Sequence, residues 1–179
     1  MKTLVIHPDD YSTDFLKSIY VNLNATVLTT CTKEQVNEEI SKHDRIMMMG
    51  HGSPFGLFSI NRFTSDNGFV IDYSTVKLLR NKENVFIWCN ADQFVKNHKL
   101  NGLYSGMFIS EVGEANYCGL PGIAQEVVDE SNNTFAKLLG SVISGSLYEA
   151  YQYTKYYYDQ LAEVNAVAEY NAERFYLAE

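Results

Sequence analysis

The stretch Asp44–Phe58, DRIMMMGHGSPFGLF, decides the fold. Its apolar run, Arg45 to Met49, is bounded by glycines and fits a strand buried on both faces. It stops on Gly50-His51-Gly52-Ser53. Glycines let the backbone turn sharply there and bring the imidazole of His51 to the strand's carboxyl end. In parallel α/β sheets that end is where ligands and chemistry collect. A second apolar strand, Val85 to Trp88, ends the same way on Cys89.

Working back toward the N-terminus, Lys2 to His7 reads as a first strand, and Ala25 to Thr30 as a second. Between them Ser12 is an N-cap for a helix to about Leu23, with Phe15, Leu16, Ile19 and Leu23 on one face. Thr32 or Lys33 opens another helix, to about Lys42. This β-α-β-α-β order calls for an α/β fold: a three-layer sandwich with a mostly parallel central sheet between helices. With no linker or repeat, residues 1–179 form a single domain.

Working forward, Gly56–Ile60 and Gly68–Ile71 read as a small hairpin inserted at the site edge. A short helix, Thr75 to Leu79, precedes Val85, and Asp92 to Asn97 follows Cys89 as a helix. Leu103 to Ser110 contains a fifth strand, centred on Met107, Phe108 and Ile109. Glu111 to Ala115 and Asn116 to Ile123 are loops. Helices follow over Ser131–Ile143 and from Ser146 through the tyrosine-rich Tyr148–Tyr158, and the tail is amphipathic and helical. The tyrosines are expected to cover the sheet with their rings and leave hydroxyls near water.

Composition narrows the function. A net charge of −8 with no basic patch argues against nucleic acid and against anionic membrane surfaces as partners. No apolar run approaches the roughly 20 residues a spanning helix needs. The N-terminal run Leu4-Val5-Ile6 is too short for a signal-peptide core, so a cytoplasmic location is the default. Cys31, Cys89 and Cys118 are odd in number and irregularly spaced, which is not a disulfide framework, and no His/Cys cluster has zinc-site spacing. His7-Pro8-Asp9-Asp10 has the groups for a metal or a phosphoryl site, but such a cluster is more often a helix-capping turn. A flavodoxin-like ligand-binding domain lacks support, because no glycine-rich phosphate loop is present.

The two strand ends also carry the groups for acyl transfer by a thiol, where the alternative is a turn histidine hydrogen-bonded to backbone and a packed core thiol. That chemistry needs a sulfur able to become a thiolate, a group to protonate the leaving amine, and N–H groups aimed at the oxyanion. Cys89, His51 and the backbone N–H groups of Gly52 and Cys89 supply these if the two strand ends are neighbours. Neighbouring strands lie about 4.8 Å apart, which brings such side chains within reach.

Over most of its length the chain resembles the caspase–legumain–gingipain superfamily of cysteine peptidases. The likeness lies in the apolar strand leading into His51-Gly52, the hairpin-like Gly56–Ile71, the strand Val85–Trp88 leading to Cys89, and the strand Gly106–Ser110. It implies a caspase-like fold, a His51/Cys89 catalytic dyad, Gly52 in the oxyanion hole, a peptide or protein substrate and no cofactor. Caspase-like folds place their residue-selecting pocket beside the nucleophile strand and the loop after the next strand, so Glu111 and Glu114 become candidates to receive a basic side chain. The pattern departs at one point. Family members show four apolar residues, two linking residues ending in alanine, then the cysteine. Counted forward from Val85, the nucleophile position falls on Ala91; counted back from Phe94, it falls on Cys89. In a continuous strand both would point to the same face. In the Ala91 register the chain is an inactive relative that binds a peptide or protein.

Overall fold

The computed structural model describes residues 1–179. The chain opens with β1 (Thr3–Ile6), which is followed by a 3₁₀ turn (Tyr11–Leu16) that runs into α1 (Lys17–Tyr20). Then come β2 (Ala25–Leu28), the two-residue β3 (Cys31–Thr32), α2 (Lys33–Ser41) and β4 (Arg45–Met49). Beyond β4 the chain makes β5 (Gly52–Ser53), β6 (Gly56–Phe58), β7 (Phe63–Thr64) and β8 (Phe69–Ile71). A 3₁₀ turn (Tyr73–Thr75) leads into α3 (Val76–Leu79), followed by β9 (Glu83–Ile87), α4 (Ala91–His98) and β10 (Gly102–Ser105). Four helices close the chain, α5 (Val112–Tyr117), α6 (Gln125–Val142), α7 (Leu147–Ala162) and α8 (Ala166–Ala172), before β11 (Phe175–Ala178).

Six strands form the central sheet in the order β11-β10-β9-β4-β1-β2. All neighbours are parallel except β10 and β11. The strands alternate cleanly between two cores. Ile46, Met48, Phe86 and Trp88 face Val36 and Ile40 of α2, Leu79 of α3 and Phe94 of α4. Met47, Met49, Val85 and Ile87 face Ile19 of α1, Phe135 and Leu139 of α6, and Tyr158 of α7. This is the three-layer arrangement expected, with every β4 residue buried.

The helix placement follows from handedness. From β1 the chain moves outward to β2 with α1 on one face, then reverses to β4, β9 and β10 with α2, α3 and α4 on the other. Reversing direction while keeping right-handed crossovers must switch faces. The reversal leaves a switch point between β1 and β4, where the loops leaving the two strands part company, and ligand sites of open α/β sheets lie in such crevices.

The inserted hairpin is present, with β6 and β8 antiparallel and β5 added as a third strand. The fifth strand ends earlier than expected. Gly106 donates to the Arg174 carbonyl, and the Asn171 carboxamide clamps both backbone groups of Ile109 at 2.7 and 2.9 Å. A side chain thus replaces the neighbouring strand, and Met107–Ile109 is irregular rather than extended. Glu111–Ala115 is not a loop: Glu111 caps α5. Helix α6 starts six residues before Ser131, at Gln125. The tail is not wholly helical, because Phe175–Ala178 adds an edge strand to β10.

The tyrosines of α7 divide. Tyr158 is buried, with its hydroxyl 2.6 Å from Ser131 Oγ, and Tyr151 packs on Phe175. Tyr148, Tyr153, Tyr156 and Tyr157 are exposed, so the covering role expected of the run falls to two rings. No helix is long and apolar enough to cross a membrane.

Candidate functional site

Strands β4 and β9 are neighbours, in register from Arg45↔Glu83 to Met49↔Ile87. The pairing continues one step further, because Gly50 N–H donates to the Ile87 carbonyl at 3.0 Å. His51 and Cys89 each sit two residues beyond the last pair. Both line one narrow pocket of about 20 Å³, closed by Phe15, Trp88 and Phe108. Gly50 has φ +136°, the left-handed backbone that turns the chain out of β4. A side chain on Gly52 would collide with the Trp88 ring at 2.3 Å, so glycine there lets the indole pack against the turn. Trp88 Nε1 donates to the Ser53 carbonyl at 3.1 Å and fixes that packing.

The imidazole of His51 is half-buried and anchored through one nitrogen. Its Nε2 lies 3.0 Å from Asp10 Oδ2 and 2.8 Å from Ser12 Oγ. The Ser12 hydroxyl donates to Asp10 Oδ1 at 2.9 Å, so its proton is already committed. Nε2 therefore acts as the donor, and Nδ1 has no partner in the chain. Burial works to raise the Asp10 carboxyl. The Ser12 hydroxyl, the His51 charge and the Thr13 amide outweigh it and hold that group below the usual carboxylate range. Asp10 also caps the turn Tyr11–Leu16, in a capping box with Thr13. The capping turn read from His7-Pro8-Asp9-Asp10 is there, but its N-cap is Asp10 and not Ser12. The same carboxylate holds the histidine across the switch point.

The thiol of Cys89 is directed elsewhere. Sγ lies 3.4 Å from the Phe108 carbonyl and 3.7 Å from Glu114 Oε1, as donor to both. Burial, with the Glu114 charge second, pushes its pKa up to about 12. A thiol in this setting is protonated at neutral pH and a poor nucleophile.

Ala91 does not share its face. Asn90 adopts left-handed φ/ψ of 65° and 27°, breaking the strand, and Ala91 starts α4 fully buried in the core with Trp88 and Phe94. The expectation that residues 89 and 91 point the same way fails because the strand does not extend to 91. Only Cys89 lines the pocket.

The remaining candidates are close by with different duties. Gly52 lies in β5, packed under Trp88, and does not line the pocket. Glu114 accepts from Ser110 N and Oγ at 2.7 and 2.9 Å and from Glu111 N at 3.2 Å. Its carboxylate is occupied in capping α5 and facing the thiol. Glu111 is exposed and lines a larger cleft beside the His51–Cys89 pocket, between the turn after β1 and α6. Sequence reasoning offers Asp10 only within a metal or phosphoryl cluster or a capping turn, and Ser12 only as a cap; neither is read there as a partner of His51. No group of three or more His, Cys, Asp or Glu side chains is arranged to hold a metal ion. No protein-family model matches the chain, and no curated protein matches its sequence.

Proposed function

We propose that the chain is a cysteine endopeptidase of caspase-like architecture. The observation that carries this is the register of β4 and β9, which sets His51 and Cys89 at equal heights beyond two adjacent parallel strands, on one pocket. In this reading Cys89 Sγ gives up its proton to His51 Nδ1 and attacks the peptide carbonyl. The C–N bond then breaks as His51 returns that proton to the leaving amine, leaving a thioester that water hydrolyses. Asp10 holds Nε2 and stabilises the imidazolium. The N–H groups of Gly52 and Cys89 are the candidate oxyanion donors. For attack, the sulfur must leave the Phe108 carbonyl and Glu114, so this arrangement corresponds to a resting state.

A second reading has its own support. The buried thiol beside a carboxylate, with its raised pKa, favours a catalytically inactive member of the same architecture that binds a peptide or protein. A thiol-reactive peptide probe separates the two. The peptidase reading expects labelling that vanishes in Cys89→Ala and drops at least tenfold in His51→Ala. Labelling confined to Cys31 and Cys118 and indifferent to His51 sinks it.

A further inference from the structure

We propose that the substrate residue whose carbonyl meets Cys89 is glycine, because the pocket around the sulfur admits an acyl group without a side chain and excludes one that carries it. The substrate rests on the peptidase reading; the sieve is a property of the pocket and does not. Cys89 lines a space of about 20 Å³, room for about one water molecule. A carbonyl carbon that bonds to the sulfur brings its α-carbon with it at about 1.5 Å, and any β-carbon one bond further on. A side chain therefore begins in the same confined space as the carbonyl.

The walls of that space have little to give. Leu16, Ile87, Trp88 and Phe108 line it and are buried. Trp88 is fixed by its hydrogen bond to the Ser53 carbonyl. The Phe108 ring packs 4.9 Å from Phe135, and the next residue, Ile109, is clamped by Asn171. Forcing extra atoms into packing of this kind drives side chains off their rotamers and shifts backbone. Charge is excluded as well. Apart from His51 and Cys89, no ionisable group lines the pocket, so a charged side chain would lose its water and gain no partner. Glu114, which touches the sulfur, already accepts from Ser110 and Glu111.

Phe15 is the exception among the walls. It is half-buried, sits in the turn after β1 and stacks on Phe108, with ring centroids 6.4 Å apart and planes 14° from parallel. It also lines the larger cleft of about 560 Å³, which neither His51 nor Cys89 lines. Phe15 thus stands between the sulfur and the roomier space beside it. That position makes it the side chain that sets the width of the sieve, and the one that can be trimmed without opening the core.

The test uses the full chain with Cys31→Ser and Cys118→Ser, which leaves Cys89 as the remaining thiol. Iodoacetamide and its bulkier N-phenyl derivative measure the sieve by intact mass, with N-acetyl-cysteine as the reference. Relative to that reference, Cys89 is expected to disfavour the bulky reagent by about tenfold or more, and Phe15→Ala, checked for folding by circular dichroism, to remove most of that penalty. Acetyl-Ala-Ala-X acyloxymethyl ketones, with X glycine, alanine, leucine, arginine or aspartate, then read the substrate. The glycine probe is expected to label about tenfold or more faster than the leucine, arginine and aspartate probes, with alanine between. Phe15→Ala should speed the alanine and leucine probes and leave the glycine probe nearly unchanged. His51-dependent labelling by leucine, arginine or aspartate as fast as by glycine, or a selectivity indifferent to Phe15→Ala, overturns the proposal and leaves the peptidase reading in place. A sieve without His51-dependent labelling by any probe removes the peptidase reading and the glycine assignment with it.

Discussion

Arg45 opens β4 and His51 follows its end, and the sheet treats these two basic side chains in opposite ways. Arg45 is 2% exposed, and its partners close around it. Its Nε lies 2.8 Å from Glu83, Nη2 donates to the Gly145 carbonyl at 2.7 Å, and Nη1 donates to the Ile143 carbonyl. His51 is held by one nitrogen and open at the other, and its neighbour Cys89 is parked on a carbonyl and a carboxylate. A completed polar network rigidifies a fold, whereas a half-completed one leaves a group available to something else. The contrast gives β4 a closed end and, in the peptidase reading, a working end.

The largest expected effect tests the closed end. Arg45→Ala leaves the buried Ile143 carbonyl without its donor and empties the volume of a large buried side chain, and should cost about 3–5 kcal/mol in denaturant unfolding. His51→Ala, at a half-exposed site whose partners can rehydrate, should cost under about 1 kcal/mol. If the two costs turn out alike, the distinction between the ends of β4 is wrong.

Next in size, His7 asks whether closure follows position or partners. It lies at the same end of the sheet as His51, one residue past β1. Yet its Nδ1 meets Tyr20 Oη at 2.9 Å and its Nε2 meets Thr13 Oγ1 at 3.2 Å. Burial pushes its pKa down from 6.5 to about 4, against the pull of Asp9. The folded chain therefore resists protonation that the unfolded chain accepts. Stability is whole above pH 6.5 and falls as pH drops toward 4, by about 3 kcal/mol in total. His7→Gln should flatten that slope in urea midpoints measured across the range. A slope that survives the substitution belongs to another group.

Two carboxylates give a finer version of the same contrast. Asp72 and Glu114 both serve capping boxes, but Asp72 faces Lys33 Nζ at 2.5 Å and Glu114 faces a thiol. Burial works to raise the Asp72 carboxyl; Lys33, Ser74 and Asn67 outweigh it and hold the pKa at about 2. Its contribution is present above pH 4 and lost as pH falls through about 2, roughly 2 kcal/mol before solvent screening is allowed for. Asp72→Asn should remove that acid-limb dependence, seen as a thermal midpoint that no longer drops over this interval. An unchanged acid limb would mean that the Lys33 pair contributes nothing.

Much of the central sheet could be read from residue order, because short apolar runs ended by glycine or polar turns allow few alternatives. Arg45–Met49 and Val85–Trp88 were legible for that reason, whereas their adjacency stayed a condition that the β4–β9 register alone meets. The misses have physical causes. Phe175–Ala178 is four residues long and becomes a strand only because β10 offers it an edge. Met107–Ile109 has the apolar look of a strand, but Asn171, 62 residues away, takes its hydrogen bonds. Ala91 was ambiguous because the left-handed Asn90 that ends the strand leaves no mark in a pattern of apolar residues. In the site, His51 and Cys89 were visible as strand-end residues. Asp10 looked like part of a capping turn or of a metal or phosphoryl cluster, since nothing local in sequence announces a contact made across a switch point.

The smallest expected effect bears most directly on the working end. Burial and Glu114 both hold Cys89 protonated, and only the second can be removed without opening the core. Glu114→Gln keeps the shape and an acceptor for the cap while deleting the negative charge 3.7 Å from the sulfur. The thiol pKa should fall, though not to that of a free cysteine, because the burial remains. A fall of about one unit gives tenfold more thiolate, and the accompanying loss of nucleophilicity trims the gain to about three- to fivefold in rate. In a Cys31→Ser, Cys118→Ser background, iodoacetamide at pH 8 should therefore react with Cys89 several times faster in Glu114→Gln, and at an unaltered rate in the exposed control Glu111→Gln. An unchanged rate in Glu114→Gln would leave burial as the sole restraint. The working end of β4 would then be closed like the other, and the inactive binding reading would displace the peptidase.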